Sequence, residues 1–237
     1  MIDFHCHILP AIDDGSRDVS ESLAMISAEI DQGVDGIVLT PHFYAEKDDR
    51  RYLERRSDRY DRLKSAVDES EFAGKVTLLL GSEVCYFPGC SKADIMDKLV
   101  MGNSRYILLE MPFMQWTDSM IRDVESLIED RGFKPVIAHI ERYYGFQRDR
   151  SYWQDLFDMD VIPQMNAGAF TGKWLKKCKN FRLMKEAGDI VLGSDAHNMV
   201  NRCPNLALGF REIEKKLGSQ MVEDIQRRSR DLFEKLR

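Results

Sequence analysis

The chain has 237 residues, of which 43% are hydrophobic and 31% charged, with a net charge of −6. That size and balance describe a soluble globular chain of one large domain or two small ones. The absence of a basic block argues against nucleic-acid backbone binding as the main task, and no stretch approaches the roughly 20 apolar residues of a membrane span.

Short β-branched and apolar runs mark seven strands in chain order: 2–6, 36–40, 76–83, 106–110, 135–139, 161–166 and 190–194. Between them lie amphipathic stretches. In 18–33 the residues Leu23, Ile26 and Ile30 fall at helical spacing before Gly33, which suits a C-cap. In 117–132, Ile121, Val124 and Ile128 repeat the pattern before Gly132. Segments 205–217 and 219–237 also read as helices. The charge-dense stretch 46–71 reads as a solvated helix carrying i,i+4 ion pairs, with a partner surface as the alternative. Alternating strands and helices imply a mostly parallel sheet, either a (β/α)8-type barrel one unit short or an open doubly wound sheet. No linker, repeat or low-complexity tract interrupts the chain, so residues 1–237 read as a single domain.

The five cysteines, Cys6, Cys85, Cys90, Cys178 and Cys203, are odd in number and lack zinc-type pairing. They read as reduced thiols of a cytoplasmic protein. The N-terminus shows no secretory pattern.

All five histidines fall at the C-terminal ends of predicted strands: His5 and His7 after the first, His42 after the second, His139 after the fifth and His197 after the seventh. Glu83, Glu110 and Asp195 end other strands, and Asp13 and Asp14 follow the first. Simple alternation puts Asp3, His5 and His7 on one face of the first strand, with Cys6 facing away. The C-terminal strand edge is where α/β folds build active sites. Imidazoles with carboxylates are a ligand set for Zn, Mn, Fe or Ni. Five histidines and at least four acids exceed what one ion needs, which points to two or three ions and to phosphoester hydrolysis. Arg142 and Arg202 follow His139 and His197 closely, and their guanidinium forks match phosphate oxygens.

The motifs "DFHCH", "TPH", "GSE", "LLE", "AHIER" and "SDAHN" resemble those of the polymerase and histidinol phosphatase (PHP) superfamily. The longer stretches "MIDFHCHILPAIDDGS", "GIVLTPHF", "YILLEMPF" and "AHIERY" resemble the bacterial manganese-dependent protein-tyrosine phosphatases of the CpsB/YwqE type, over nearly the full length. Ile140 stands where that family usually has proline, and "NAGAFTGKW" is only loosely similar.

The resemblance implies a distorted (β/α)7 barrel with three divalent ions at its mouth, most plausibly Mn, with Fe, Zn or Mg as substitutes. It assigns one ion to His5, His7, Glu83 and Asp195, a second to Glu83, Glu110 and His139, and a third to His42, His197 and Asp14, with Asp13 as the alternative acid. It makes Arg142 and Arg202 the phosphate-binding residues. The substrate it implies is a phosphotyrosine protein, the tail of an autophosphorylating tyrosine kinase controlling capsule or exopolysaccharide synthesis. Asp195 or Asp13 is the candidate general acid, and Phe43, Tyr44, Phe113, Trp116 and Tyr143 are candidates to stack on the phenol ring. The rim loops 43–52, 111–118 and 196–205 shape access.

A thiolate phosphatase is excluded, because no cysteine has an arginine six positions later. The rival readings are a histidinol-phosphate or other small-molecule phosphatase on the same scaffold and, in a different class, a non-catalytic metal-binding regulatory module.

Overall fold

The computed structural model describes residues 1–45 and 49–237. Among the described residues, nine strands form two parallel sheets. The first has the order β1 (Ile2–Cys6), β2 (Gly36–Leu39) and β4 (Thr77–Leu80). The second runs β3 (His42–Phe43), β5 (Glu83–Cys85), β6 (Tyr106–Glu110), β7 (Lys134–Ile137), β8 (Ile162–Asn166) and β9 (Val191–Gly193). All pairs are parallel. β1 also meets the chain just after β9: Cys6 bridges Ala196, and the amide of Asp195 donates to the His5 carbonyl at 2.7 Å.

The predicted strand 76–83 is interrupted, and the predicted strand 36–40 is followed by a further short one. Pro41, which has no N–H to give a ladder, separates β2 from β3. Gly81 and Ser82 separate β4 from β5. Backbone bonds from Gly81 to Leu39 at 2.8 Å and from Glu83 to Pro41 at 3.0 Å carry the pairing across both breaks. The helix Asp49–Asp68 pins them from outside. Buried Arg56 donates to the Gly81 carbonyl at 3.2 Å and to the Ser82 hydroxyl at 2.6 Å.

Among the described residues, seven α-helices lie between and after the strands: α1 (Val19–Asp31), α2 (Asp49–Asp68), α3 (Asp118–Glu129), α4 (Ser151–Phe157), α5 (Trp174–Ala187), α6 (Leu206–Leu217) and α7 (Ser219–Leu236). Asp18 caps α1 by accepting from the Glu21 amide at 2.8 Å. Helix α2 matches the reading of 46–71 as a helix, with residues 46–48 outside the described residues. Helices α4 and α5 had no counterpart among the predicted elements.

The strands bury both faces, as parallel strands do. Ile37, Leu39, Ile107, Leu109, Ile137 and Leu192 join a large cluster with the flanking helices. Phe4, Val38, Leu108, Val136 and Val191 form a second cluster, closed by Leu232, Phe233 and Leu236 of α7. Gly36 is required there: a Cβ on it would sit 2.6 Å from Ile2 and 2.8 Å from the Phe233 ring. No helix is long and apolar enough to cross a membrane among the described residues.

Candidate metal centre

β1 does not alternate simply. Its pairing with β2 shifts register between Asp3 and Cys6, which marks a bulge. Asp3 therefore does not share the histidines' face. Its carboxylate accepts from the amides of His5 at 3.0 Å and Ser194 at 2.9 Å, and its neighbour is buried Glu29 of α1. His5 and His7 turn the other way and meet, with their Nε2 atoms 3.2 Å apart.

Glu83, at the start of β5, is the focus. Its Oε2 lies 3.2 Å from His5 Nε2, 3.3 Å from His7 Nε2 and 2.9 Å from His42 Nδ1, yet it makes no well-formed hydrogen bond. Its Oε1 lies 2.9 Å from His139 Nε2, and Glu110 Oε1 is 3.4 Å from the same nitrogen. Asp195 Oδ1 sits 3.7 Å from His5 Nε2 and 3.5 Å from His7 Nε2. Asp14 Oδ1 is 3.5 Å from Nε2 of both His42 and His197. All nine sequence-predicted ligands thus converge on one region. Three groups within it have donor atoms close enough to share an ion: His7, Asp14, His42 and His197; His5, His7 and Glu83; His42, Glu83 and Glu110.

The outer nitrogens set the tautomers. His5 Nδ1 donates to Gln164 Oε1 at 3.1 Å, since an amide oxygen only accepts. His7 Nδ1 donates to Asp13 Oδ2 at 2.8 Å, and His197 Nδ1 donates to the Asp195 carbonyl at 3.0 Å. Once deprotonated, each ring aims its Nε2 lone pair inward, which is how metal-bound imidazoles are held. His197 Nε2 and His42 Nδ1 are buried without a hydrogen bond. Facing lone pairs around an orphaned carboxylate oxygen fit divalent cations and fit little else.

The same crowding shows in the pKa values. Burial opposes charge on His7, but Asp13 and Glu83 outweigh it and push its pKa up to about 10. Burial likewise opposes charge on His139, and Glu110 and Glu83 bring it to about 9. Burial and the charge of His7 hold His197 down to about 4. Burial favours protonated Asp13 and Asp195, yet the histidines hold both at about 2. Both aspartates are therefore ionised beside the histidines at neutral pH.

Asp13 and Asp14 divide the work. Asp13 is spent inside the chain, accepting from His7, from the His42 amide at 2.9 Å and from the Gly15 amide at 3.0 Å. Asp14 is exposed and free to face an ion between His42 and His197.

Backbone strain gathers here too. His139 and Asp195 have φ of 31° and 53°, unusual for residues with a side chain. The His139 amide is held by Gln164 Oε1 at 2.6 Å. Gln164 and Asn166, two apart on β8, form a polar chain that sequence reasoning missed: Gln164 Nε2 to Asn166 Oδ1 at 3.0 Å, then Asn166 Nδ2 to Asp195 Oδ2 at 2.9 Å. Their signal was polar residues at i and i+2 in an otherwise buried strand. Gly193 makes room, since a Cβ there would lie 2.5 Å from His5 Cβ.

Both predicted arginines flank the centre. Arg202 Nη2 donates to Asp195 Oδ1 at 2.8 Å, and Arg142 Nη1 lies 3.7 Å from Asp195 Oδ2. The turn that returns Arg202 is organised by Asn198, whose Oδ1 accepts from the amides of Val200, Asn201 and Arg202. A cavity of about 770 Å3 opens beside them, bordered by Phe113, Phe146, Asn166 and Asp195.

The predicted ring-stacking residues need correction. Phe43 is 1% exposed and packs on Tyr52, while Tyr143 is 0% exposed and its hydroxyl accepts from the Met111 amide. Both are sealed in the core, as is Trp116, and none can lie against a substrate ring. The rings at the mouth are Phe113 and Phe146, 39% and 47% exposed, with centroids 6.2 Å apart, and Tyr44. Arg142 lies over Phe113 at 4.7 Å. Phe146 was not foreseen.

A family model described as capsular polysaccharide synthesis, CpsB/CapC, matches residues 1–232. Tyrosine-protein phosphatase YwqE of Bacillus subtilis (strain 168) is 31% identical over 230 residues, covering 93% of this chain and 87% of that protein. Tyrosine-protein phosphatase CpsB of Streptococcus pneumoniae is 28% identical over 243 residues, covering 95% and 94%. A crystal structure from work on these two, described as unique metal-dependent tyrosine phosphatases, superposes with a TM-score of 0.86 at 26% identity, covering 100% of this chain and 96% of that one. An organophosphorus hydrolase variant from Deinococcus radiodurans shares the fold alone, with a TM-score of 0.54 at 11% identity, covering 97% and 92%.

Proposed function

The chain belongs to the CpsB/CapC family of capsular polysaccharide synthesis, and from that premise we propose that it is a metal-dependent phosphatase that hydrolyses phosphotyrosine in proteins. One observation carries the reading: five imidazoles and four carboxylates, Glu83 among them, converge in one cluster, with two arginines directly beside them.

In this reading residues 1–237 are one domain, and the strands are the seven staves of a distorted (β/α)7 barrel, β2 with β3 and β4 with β5 each making one stave. Three divalent ions, taken as Mn, would sit at the C-terminal ends of the staves. His5, His7, Glu83 and Asp195 would hold the first, Glu83, Glu110 and His139 the second, and His42, His197 and Asp14 the third. His7 also lies within reach of the third group. When bound, such ions supply Lewis acidity and activate water at neutral pH.

The chain's own residues do the rest. Arg142 and Arg202 take the phosphate oxygens and neutralise charge that builds on them. Asp195 orients Arg202, and Asn166 holds Asp195. Phe113 and Phe146 offer ring faces to the tyrosine beside the phosphate. A phenolate leaving group, with a conjugate-acid pKa of about 10, departs without a strong proton donor. That suits a site whose nearby aspartates are ionised.

The substrate in this reading is the tail of an autophosphorylating tyrosine kinase that controls polysaccharide export. The five free thiols suit a reducing cytoplasm. The test is turnover of phosphotyrosine peptides by Mn-loaded protein, with metal content measured alongside. His5→Ala loses metal and activity together. Arg142→Ala keeps its metal but loses about 100-fold in kcat/KM, as removal of an oxyanion contact does. Metal-loaded protein that hydrolyses no phosphotyrosine peptide overturns the reading.

A further inference from the structure

The net charge of −6 is unevenly spread along the chain. Residues 161–185 contain no Asp or Glu, yet they hold five lysines and one arginine. Lys173 stands just before α5, and the other five cations lie within it.

The start of α5 combines two features that water disfavours. Trp174 and Leu175 are 72% and 76% exposed, whereas every other large apolar side chain among the described residues, apart from Val200, is at most 51% exposed. Exposed apolar side chains rimmed by polar ones mark interaction surfaces. In addition, Lys173, Lys176 and Lys177 crowd the first turn, which holds no acid. The helix dipole disfavours cations at that end.

The chain cancels little of this charge itself. Lys177 pairs with Glu212 of α6, and Lys179 lies 5.0 Å from the Tyr144 ring. Lys173, Lys176, Arg182 and Lys185 are exposed and make no ion pair among the described residues. Glu186 stands one turn after Arg182 without pairing with it. Cations thus surround the apolar pair. Lys179 and Arg182 share one pocket with Trp174 and Leu175, and Lys215 and Lys216 of α6 share another with Trp174.

We propose that the start of α5 docks on an anionic lipid bilayer, with Trp174 and Leu175 entering the headgroup region and the surrounding cations meeting lipid phosphates. The charge is spread on all sides of a projecting apolar pair, which matches a plane of headgroups rather than one acidic side chain. Tryptophan suits that depth, because its ring is apolar and its N–H still reaches water. Lys176 also borders the cavity at Arg142 and Arg202, so docking brings that cavity to the lipid surface. The proposal goes beyond the phosphotyrosine reading and does not need it.

The test measures co-sedimentation of the full chain with vesicles of phosphatidylcholine alone, and of phosphatidylcholine mixed with an equal share of phosphatidylglycerol. Unbound divalent metal is removed first, so that it cannot bridge an acidic chain to lipid. The native chain is expected to bind the mixed vesicles at least about tenfold more tightly than the neutral ones, and to release them as salt rises. Lys173→Glu lowers that binding about thirtyfold, the scale of a change of two charges near an anionic surface. The new acid favours the helix start, so unfolding does not account for the loss. Trp174→Ala lowers binding about tenfold through lost apolar burial.

Insertion has its own signal. Trp116 is buried and Trp153 stacks on it at 5.6 Å, so Trp174 is the exposed one of three tryptophans. Brominated lipid is expected to quench its fluorescence, and Trp174→Phe to keep most of the binding while losing the quenching. A native chain that ignores anionic vesicles overturns the proposal, as does binding unchanged by Lys173→Glu. Equal or tighter binding to soluble poly-glutamate, without quenching by brominated lipid, assigns the face to an acidic protein and also overturns it. Turnover of a soluble phosphotyrosine peptide by Lys173→Glu is expected to stay native, which separates loss of docking from loss of chemistry.

Discussion

The two ends of the strand assembly use the same strands for opposite purposes. At the end closed by α7, β1, β2, β6, β7 and β9 contribute Phe4, Val38, Leu108, Val136 and Val191 to a dry stack. At the other end, His5, Glu83 and Glu110 of β1, β5 and β6, with the residues just past β7 and β9, form a buried cluster of rings and carboxylates. Phe4 and His5 are consecutive in the chain, and the bulge in β1 lets both leave the outer cluster that Cys6 joins. Burial of the first kind stabilises the fold. Burial of the second kind opposes it, because desolvated ionisable groups are costly unless paired or bound to metal. The stack and the helices therefore carry the stability that the mouth expends.

The comparison breaks most sharply through a pair of substitutions. Glu83→Gln removes the carboxylate charge that four histidines face, and it is expected to lower activity at least about a thousandfold, roughly 4 kcal/mol in barrier. Metal content should fall with it while far-ultraviolet circular dichroism stays native. Phe4→Ala, one residue from His5, is expected to cost about 3–5 kcal/mol in urea unfolding through the cavity it leaves. Its kcat per folded molecule should stay near native. Loss of fold from the first, or of chemistry without loss of stability from the second, would show that the two ends do not divide stability from chemistry.

A smaller effect tests the supports behind the ligands. Asp13→Asn removes the charge that holds the His7 tautomer, and metal affinity is expected to fall about 10- to 100-fold, the scale for such outer partners. Metal titration followed by activity measures it. A loss as complete as that of Asp14→Ala would instead make Asp13 a direct ligand.

Much of this centre is visible in the chain before folding. Strand ends are marked by apolar runs, and every histidine follows one, so position along the chain already reports position in the fold. What is not visible is depth and local irregularity. Phe43 and Tyr143 sit beside ligands in sequence, yet the chain carries no mark that their rings turn into the core while Phe113 and Phe146 stay at the surface. Alternation assumes one residue per pleat, so the bulge in β1 could not be read, and Asp3 was placed with the histidines rather than behind them. Pro41 looks like a strand end and Gly81 sits inside a predicted run, yet the pairing breaks at both and resumes at His42 and Glu83 because bonds to Leu39 and Pro41 bridge the breaks. Gln164 and Asn166 sit in a strand whose other residues simply pack, and their role depends on partners from β1, β7 and β9.

The smallest expected effect lies on the outer side of β1, where Asp3 and Glu29 are both buried and both Glu29 oxygens lack a hydrogen-bond partner. Burial pushes the Glu29 carboxyl well above its usual value of 4.5, and the charge of Asp3 adds to this. The folded chain therefore binds a proton there that the unfolded chain releases above about pH 4.5. Below that pH both states are protonated, and Glu29 adds no pH dependence to stability. As pH rises from 4.5 toward the folded value, stability falls, by about 1.4 kcal/mol for each unit between the two pKa values. Glu29→Gln keeps the shape, cannot ionise, and offers an N–H to Asp3. Compared in urea at pH 5 and pH 8, with chelator present so that metal does not contribute, the variant should gain on the native chain as pH rises, by at least about 1 kcal/mol. Parallel stability curves would mean that Glu29 ionises as easily in the folded chain as in the unfolded one, and that the costly ionisable groups of this protein are confined to the mouth.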